Sequence, residues 1–322
     1  MKIRIGPAVI VVIIGSISVF AIACGGSAAE VTEPSSTPTA VPTWVVIAVT
    51  PVSTAPTPTV GSETNAEGEP VLVVFNITDR SIEGPASIPS GLTTIRLQND
   101  GSAPHGLTVI RADVGRTAEI IETQSKSRSF PVAWAPSLAS VVAPSGGSTE
   151  FTVRLTPGIY GAVDWTQDST GVPWTAFGLY LGFEVTDSGS VEIEWPEDAI
   201  EIGLEDFKFT GLTDLESGSH TLLLKNKSAT QHHEILFVPL DEGQTAAELF
   251  EGFEYGFRGG EPIPNLQRAF GIGWIGPEQI VLFSIDFPAG NYAIVDLAPS
   301  SISGSANPQV NLGMLEQIAV SE

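Results

Sequence analysis

The chain has 322 residues, with 14 basic against 37 acidic side chains and a formal charge of −23. A surface that acidic repels nucleic acid and anionic lipid, so neither is an expected partner. A single cysteine excludes internal disulfides, and two methionines and four histidines leave little soft-metal chemistry.

Lys2 and Arg4 precede an almost wholly apolar run over 5–22. Ala21-Ile22-Ala23-Cys24 then resembles the lipobox of bacterial lipoproteins, although Ala21 stands where that family most often has Leu. The resemblance implies removal of a signal peptide, 1–23, and lipidation of Cys24. The protein is then anchored in a membrane by its N-terminal lipid, facing the extracytoplasmic side. An uncleaved anchor is the alternative, because the run is close to the ~20 residues that span a bilayer.

Residues 24–69 form a linker rich in Pro, Thr, Ser, Ala and Val. Repeated Thr-Pro and Val-Pro steps disfavour helix and favour extended chain. At about 3.1 Å per residue the linker reaches on the order of 100 Å. An apolar island over 44–49, beginning at Trp44, is too short to span a membrane. Docking on a domain and a merely sticky linker both remain open for it.

Beyond residue 69, Gly and Pro are frequent, charge is sparse, and Val, Ile, Leu, Phe and Thr come in short alternating runs. That pattern predicts an all-β sandwich or barrel. Laid on itself, the chain repeats. The run Gly91–Asn99 matches Gly218–Asn226 without a gap, each a predicted strand closed by Asn. A polar loop and a second strand follow, starting at His105 and at His233. Ten residues after each His come Gly115 and Gly243; the second segment continues as Thr245-Ala246-Ala247-Glu248, a capping-box spacing that predicts a short helix. Pro157-Gly158-Ile159-Tyr160 pairs with Ala289-Gly290-Asn291-Tyr292, and an Asp stands four residues past each Tyr, at Asp164 and Asp296. Pro173-Trp174 with Gly178-Leu179 pairs with Pro308-Gln309 and Gly313-Met314. The duplication divides the chain into domains 70–187 and 188–322.

These residues resemble the cupredoxin family, the plastocyanin-like Greek-key β-sandwiches. The resemblance implies an all-β fold of two cupredoxin-like sandwiches in tandem after the signal peptide and linker. In that family a His after the Asn strand, a Cys after the Pro-Gly-x-Tyr strand, a second His and a Met hold type 1 copper. Carried over residue by residue, the first His is kept as His105 and His233, with His232 competing on an ungapped count. The Cys position holds Asp164 and Asp296, the second His position Trp174 and Gln309, and the Met position Leu179 and Met314. A blue site needs a thiolate, and neither repeat has one. Two readings of the second repeat remain. His233, Asp296, Gln309 and Met314 form a weak non-blue site for copper or zinc, or the His are loop residues and each Asp caps its loop through backbone N–H groups.

No nucleophile elbow, His-Glu-x-x-His, phosphate loop or dinucleotide fingerprint occurs. Two segments lie outside the repeat, 125–144 and the aromatic-rich 250–277, which suit either ligand contact or covering of the sandwich. The expectation is a non-enzymatic, surface-anchored binding or scaffold protein that has lost type 1 copper, with no cofactor and an unspecified surface or extracellular ligand. The alternative is a divergent copper-binding or electron-transfer protein with a non-blue site in the second repeat.

Overall fold

Among its described residues the first repeat has nine strands: β1 (Val71–Ile77), β2 (Ile82–Glu83), β3 (Ser87–Pro89), β4 (Gly91–Asn99), β5 (His105–Arg111), β6 (Ser137–Ala143), β7 (Ser148–Leu155), β8 (Gly158–Val163) and β9 (Tyr180–Thr186). The second follows the same order with β10 (Ile200–Glu205), β11 (Lys208–Thr210), β12 (Leu215–Glu216), β13 (Gly218–Asn226) and β14 (His233–Pro239). A short helix α1 (Ala246–Phe250) comes next, then β15 (Phe253–Glu254), β16 (Phe257–Arg258), β17 (Glu261–Pro262), β18 (Phe270–Ile275), β19 (Ile280–Phe287), β20 (Gly290–Val295) and β21 (Leu315–Ser321). This is a computed structural model, and it describes residues 69–112, 136–169, 172–187, 194–213, 215–254, 257–258, 261–300 and 307–322. Residues 1–68, with Cys24 and the apolar island, and also Gly115 and most of 125–144 lie outside the described residues.

The all-β expectation agrees with this architecture. β4 and β13 coincide with the two matched runs that end in Asn. Each Asn is buried and ties the next loop down. Asn99 Nδ2 donates to Ala103 O at 2.9 Å and Ala143 O at 3.0 Å, and Asn226 Nδ2 donates to Gln231 O, Ile275 O and Gly276 O. Tyr160 and Tyr292 point into the sandwich, and each hydroxyl donates to the carbonyl four residues back, of Thr156 at 2.9 Å and Pro288 at 2.8 Å. Gly178 and Gly313, at φ 97° and 122°, end short 3-10 turns in a conformation that a side chain would strain. The capping box forms as the spacing predicts: Thr245 accepts from the Glu248 N–H, and Glu248 accepts from the Thr245 N–H.

Within each repeat two sheets face one another, and both sheets run on from one repeat into the other. One has eight strands in the order β11-β10-β13-β19-β7-β4-β1-β2, and the other has ten, β12-β21-β20-β14-β18-β6-β5-β8-β9-β3. The seam is made where β19 pairs with β7 (Val281↔Val153, Leu282↔Thr152) and β18 pairs with β6 (Gly273↔Ser140). Equivalent strands of the two repeats thus meet antiparallel, as in a two-fold contact between subunits. An inward row runs unbroken through the larger part of the first sheet: Val71, Thr93, Val153, Val281, Leu224, Ile202. Accordingly, a single buried hydrophobic cluster draws on both repeats, from Val73 and Phe151 to Phe283 and Ile318.

The aromatic-rich segment 250–277 is used for packing. Phe250 and Phe253 join Leu249, Ile263 and Leu266 in a second core laid over Leu236, Val238, Ala293 and Val295. Phe270 is buried in the main core, and Trp274 sits at the seam, where its carbonyl accepts from the Ser137 hydroxyl. Of the two uses open to this segment, Phe250, Phe253 and Phe270 serve cover.

Gly276 marks how closely the repeats approach: a Cβ there would lie 2.0 Å from the Ser137 carbonyl oxygen. Both sides of that contact are backbone, so Gly276→Ala is expected to lower unfolding stability by about 1–3 kcal/mol, as overpacking does. Urea denaturation of the variant checks this, and an unchanged midpoint would show that the seam yields.

Candidate functional site: paired histidine–carboxylate centres

Three elements deliver the side chains of each centre. The loop after the repeat's first strand brings Asp79 or Asp206, the start of the fifth or fourteenth strand brings His105 or His233, and the residue just past β8 or β20 is Asp164 or Asp296. The structure selects His233 over His232 as the counterpart of His105. The loop after Asn226 is one residue longer than that after Asn99, so the ungapped count misses by one.

In the first repeat the ring is engaged on both sides. His105 Nδ1 lies 2.7 Å from Asp164 Oδ2, and Nε2 lies 3.0 Å from Asp79 Oδ1. His105 and Asp164 are fully buried. Asp164 Oδ1 accepts the N–H of Gly106 at 3.1 Å, the N–H of Thr166 at 2.9 Å and the Thr166 hydroxyl at 2.6 Å. The Asp therefore bonds loop N–H groups and binds the imidazole as well. Burial by itself pushes His105 down, but hydrogen bonds to Asp164 and Asp79 outweigh it and hold the ring above its ordinary 6.5. Burial alone pushes the Asp164 carboxyl up, which opposes the ion pair. Asp79 is held well below the usual carboxylate range, first by the Ser102 hydroxyl and then by His105. Trp174 packs its ring 4.7 Å from that of His105, and Leu179 is buried in the core.

The second repeat has the same parts with one bond undone. His233 Nδ1 lies 2.7 Å from the buried Asp296 Oδ2. Its Nε2 is 3.7 Å from Asp206 Oδ1, too far for a hydrogen bond, and has no partner among the described residues. Gln231 accounts for the difference. Its amide donates to Asp206 Oδ1 at 3.2 Å, while Ser300 Oγ donates to its carbonyl oxygen at 2.8 Å. In the first repeat the same loop position, marked by its carbonyl bond to the strand-closing Asn, is Ala103, which has no such reach.

Of the four candidate ligands in the second repeat, only His233 and Asp296 share a side-chain bond among the described residues. Gln309 Nε2 donates to the His232 carbonyl at 2.8 Å, and its Oε1 has no partner there. Met314 is buried among the core hydrophobics. His232 meets Trp274 edge-on, and burial, then the neighbouring His233, lower it to about 4. Beside the centre, Glu234 Oε1 accepts the Leu297 N–H at 2.9 Å, and burial, then Asp296, raise the Glu234 carboxyl to about 8. Among the described residues no group of three or more His, Cys, Asp or Glu gathers round one point. Sequence reasoning missed Asp79, Asp206 and Gln231. The signal for the first two was present, since each lies twenty residues before its repeat's strand-closing Asn.

No protein-family model matches the chain, and no curated protein matches it either. Several solved copper proteins are similar in structure. Reduced auracyanin from Roseiflexus castenholzii is 15% identical, with 36% of this chain and 96% of that chain covered, at a TM-score of 0.26. Rusticyanin from Thiobacillus ferrooxidans is 19% identical over 39% of this chain and 86% of its own, at 0.27. A multicopper oxidase is 15% identical over 82% of this chain and 94% of its own, at 0.22. The architecture of the present chain rests on its own strand order and register. The donor set does not fit type 1 copper. No thiolate is available in either described repeat, the Cys positions are carboxylates already bonded to His Nδ1, and Leu179 and Met314 belong to the core.

Proposed function

We propose that the protein is a non-enzymatic binding or scaffold module, held at the extracytoplasmic membrane surface by lipid on Cys24 and raised on the 24–69 linker. In this reading its two cupredoxin-like sandwiches act as one rigid body whose former copper positions have become internal struts. One observation carries the reading: both ring nitrogens of His105 are taken by carboxylates, so a buried imidazole ring bonds three loops together where a metal would otherwise do so. A ring engaged at both nitrogens leaves no free lone pair facing a metal. The continuous sheets support the same view, because two repeats that share a core present their loops at fixed spacing.

Optical and spin-resonance spectra of the full chain in detergent, titrated with Cu(II), test it. The expected result is no intense thiolate-to-copper band and no copper signal that His105→Ala abolishes. A blue band, or a reversible redox wave, would reverse the reading in favour of electron transfer. Cys24→Ser is expected to release the protein from membranes, and retention would place the anchor in the 5–22 segment instead.

A further inference from the structure

The geometry points to a divalent transition-metal site at His233 Nε2 and the Asp206 carboxylate, on the far side of the imidazole from Asp296, with zinc-class ions as the ligand. The repeats supply the comparison. Where Asp79 closes on the ring nitrogen of His105 at 3.0 Å, Asp206 stands 3.7 Å from that of His233. Gln231 holds it there. His233 is fully buried, and its Nε2 has no hydrogen-bond partner among the described residues. A buried ring nitrogen left in that state is costly unless something occupies the space in front of it.

The chemistry of the ring selects a cation. Metal-bound imidazoles donate their other N–H to a carboxylate, which fixes the tautomer and raises the basicity of the binding nitrogen. Asp296 stands 2.7 Å from His233 Nδ1, placed to accept the ring N–H when Nε2, which faces Asp206, binds a cation. Two ligands of one tetrahedral Zn²⁺, each about 2.0–2.2 Å from the ion, lie about 3.4 Å apart. The observed 3.7 Å is within a small side-chain adjustment of that span. Two carboxylates beside the ring match a double positive charge. Asp206 is 41% exposed in its side chain, which supplies the way in and leaves the other positions to water. Asp296 is thereby the outer partner that orients the ring, and Gln309 and Met314 are not ligands. The first repeat cannot do the same, because Asp79 fills the position.

The test is calorimetric titration of the metal-free full chain in detergent with Zn²⁺ at neutral pH. One saturable site is expected. Asp206→Ala is expected to weaken it at least tenfold, and Asp296→Asn by about 10–100-fold through the ring. Gln309→Ala, Met314→Leu and His105→Ala should leave the affinity unchanged. The site is overturned if no saturable binding is found, if binding survives Asp206→Ala, or if it falls with Met314→Leu. Binding removed by His220→Ala marks an adventitious surface ion and overturns it as well. Near-ultraviolet circular dichroism of each variant separates lost binding from lost folding. Failure here leaves the copper spectra of the scaffold reading untouched, so the two stand or fall separately.

Discussion

Asp164→Ala is expected to lower the unfolding free energy by about 3–5 kcal/mol, the usual effect of removing one member of a buried ion pair. The loss is large because it has two parts. His105 keeps its buried ring with only the half-exposed Asp79 beside it, and the N–H groups of Gly106 and Thr166 lose their acceptor. Asp164→Asn keeps an acceptor oxygen but not the charge, and should fall between wild type and Ala. Urea denaturation of both variants reads this directly. If Asp164→Ala unfolds at the wild-type midpoint, the strut contributes nothing, and the bond seen here is incidental. Asp296→Ala in the second repeat should be of the same order, since Asp296 is buried and bonded to His233 in the same way.

Glu234 gives the second large effect, through pH. Its carboxyl is raised from an ordinary 4.5 to about 8, by burial first and by the Asp296 charge second. A raised folded value means that the native state holds a proton which the unfolded chain releases. The stabilising contribution is complete below pH 4.5 and is lost as pH rises to about 8. Stability should therefore fall by up to about 1.4 kcal/mol per pH unit across that window, the slope of one linked proton. Glu234→Gln carries a neutral amide at every pH, so the variant's profile should be flatter and its stability at pH 8 and above should exceed that of wild type. The measurement is denaturant unfolding between pH 4.5 and 9 with a chelator present. A wild-type profile that does not fall over this range would show that Glu234 is ionised in the folded protein. Gly273 is placed to feel the change, because its Cα opposes Ser140 across the seam and a Cβ there would lie 3.1 Å from Glu234 Oε2.

Local chemistry made much of this protein legible from its sequence. The alternation within Gly91–Asn99 and Gly218–Asn226 and the capping box at Thr245 and Glu248 are short-range effects, set by residues a few positions apart. The duplication exposed the order of elements, and with it the recurrence in each repeat of a His and of an Asp about sixty residues later. The repeat also contained Asp79 and Asp206, but an Asp after a strand is an ordinary loop residue until something is seen to face it.

Tertiary structure alone decided how the repeats join and how the two centres differ. The meeting of β7 with β19 and of β6 with β18 depends on edges that carry no local signal, because an edge strand has the same pattern whether its N–H groups face water or another strand. The close approach at Gly276 is visible only once Ser137 is placed opposite. The first centre closes and the second does not because Gln231 stands where Ala103 does in the other copy, shifting a carboxylate by less than an ångström relative to a ring nitrogen. A difference that small lies between a hydrogen bond and the span of a metal ion, and residue types and spacings do not resolve it.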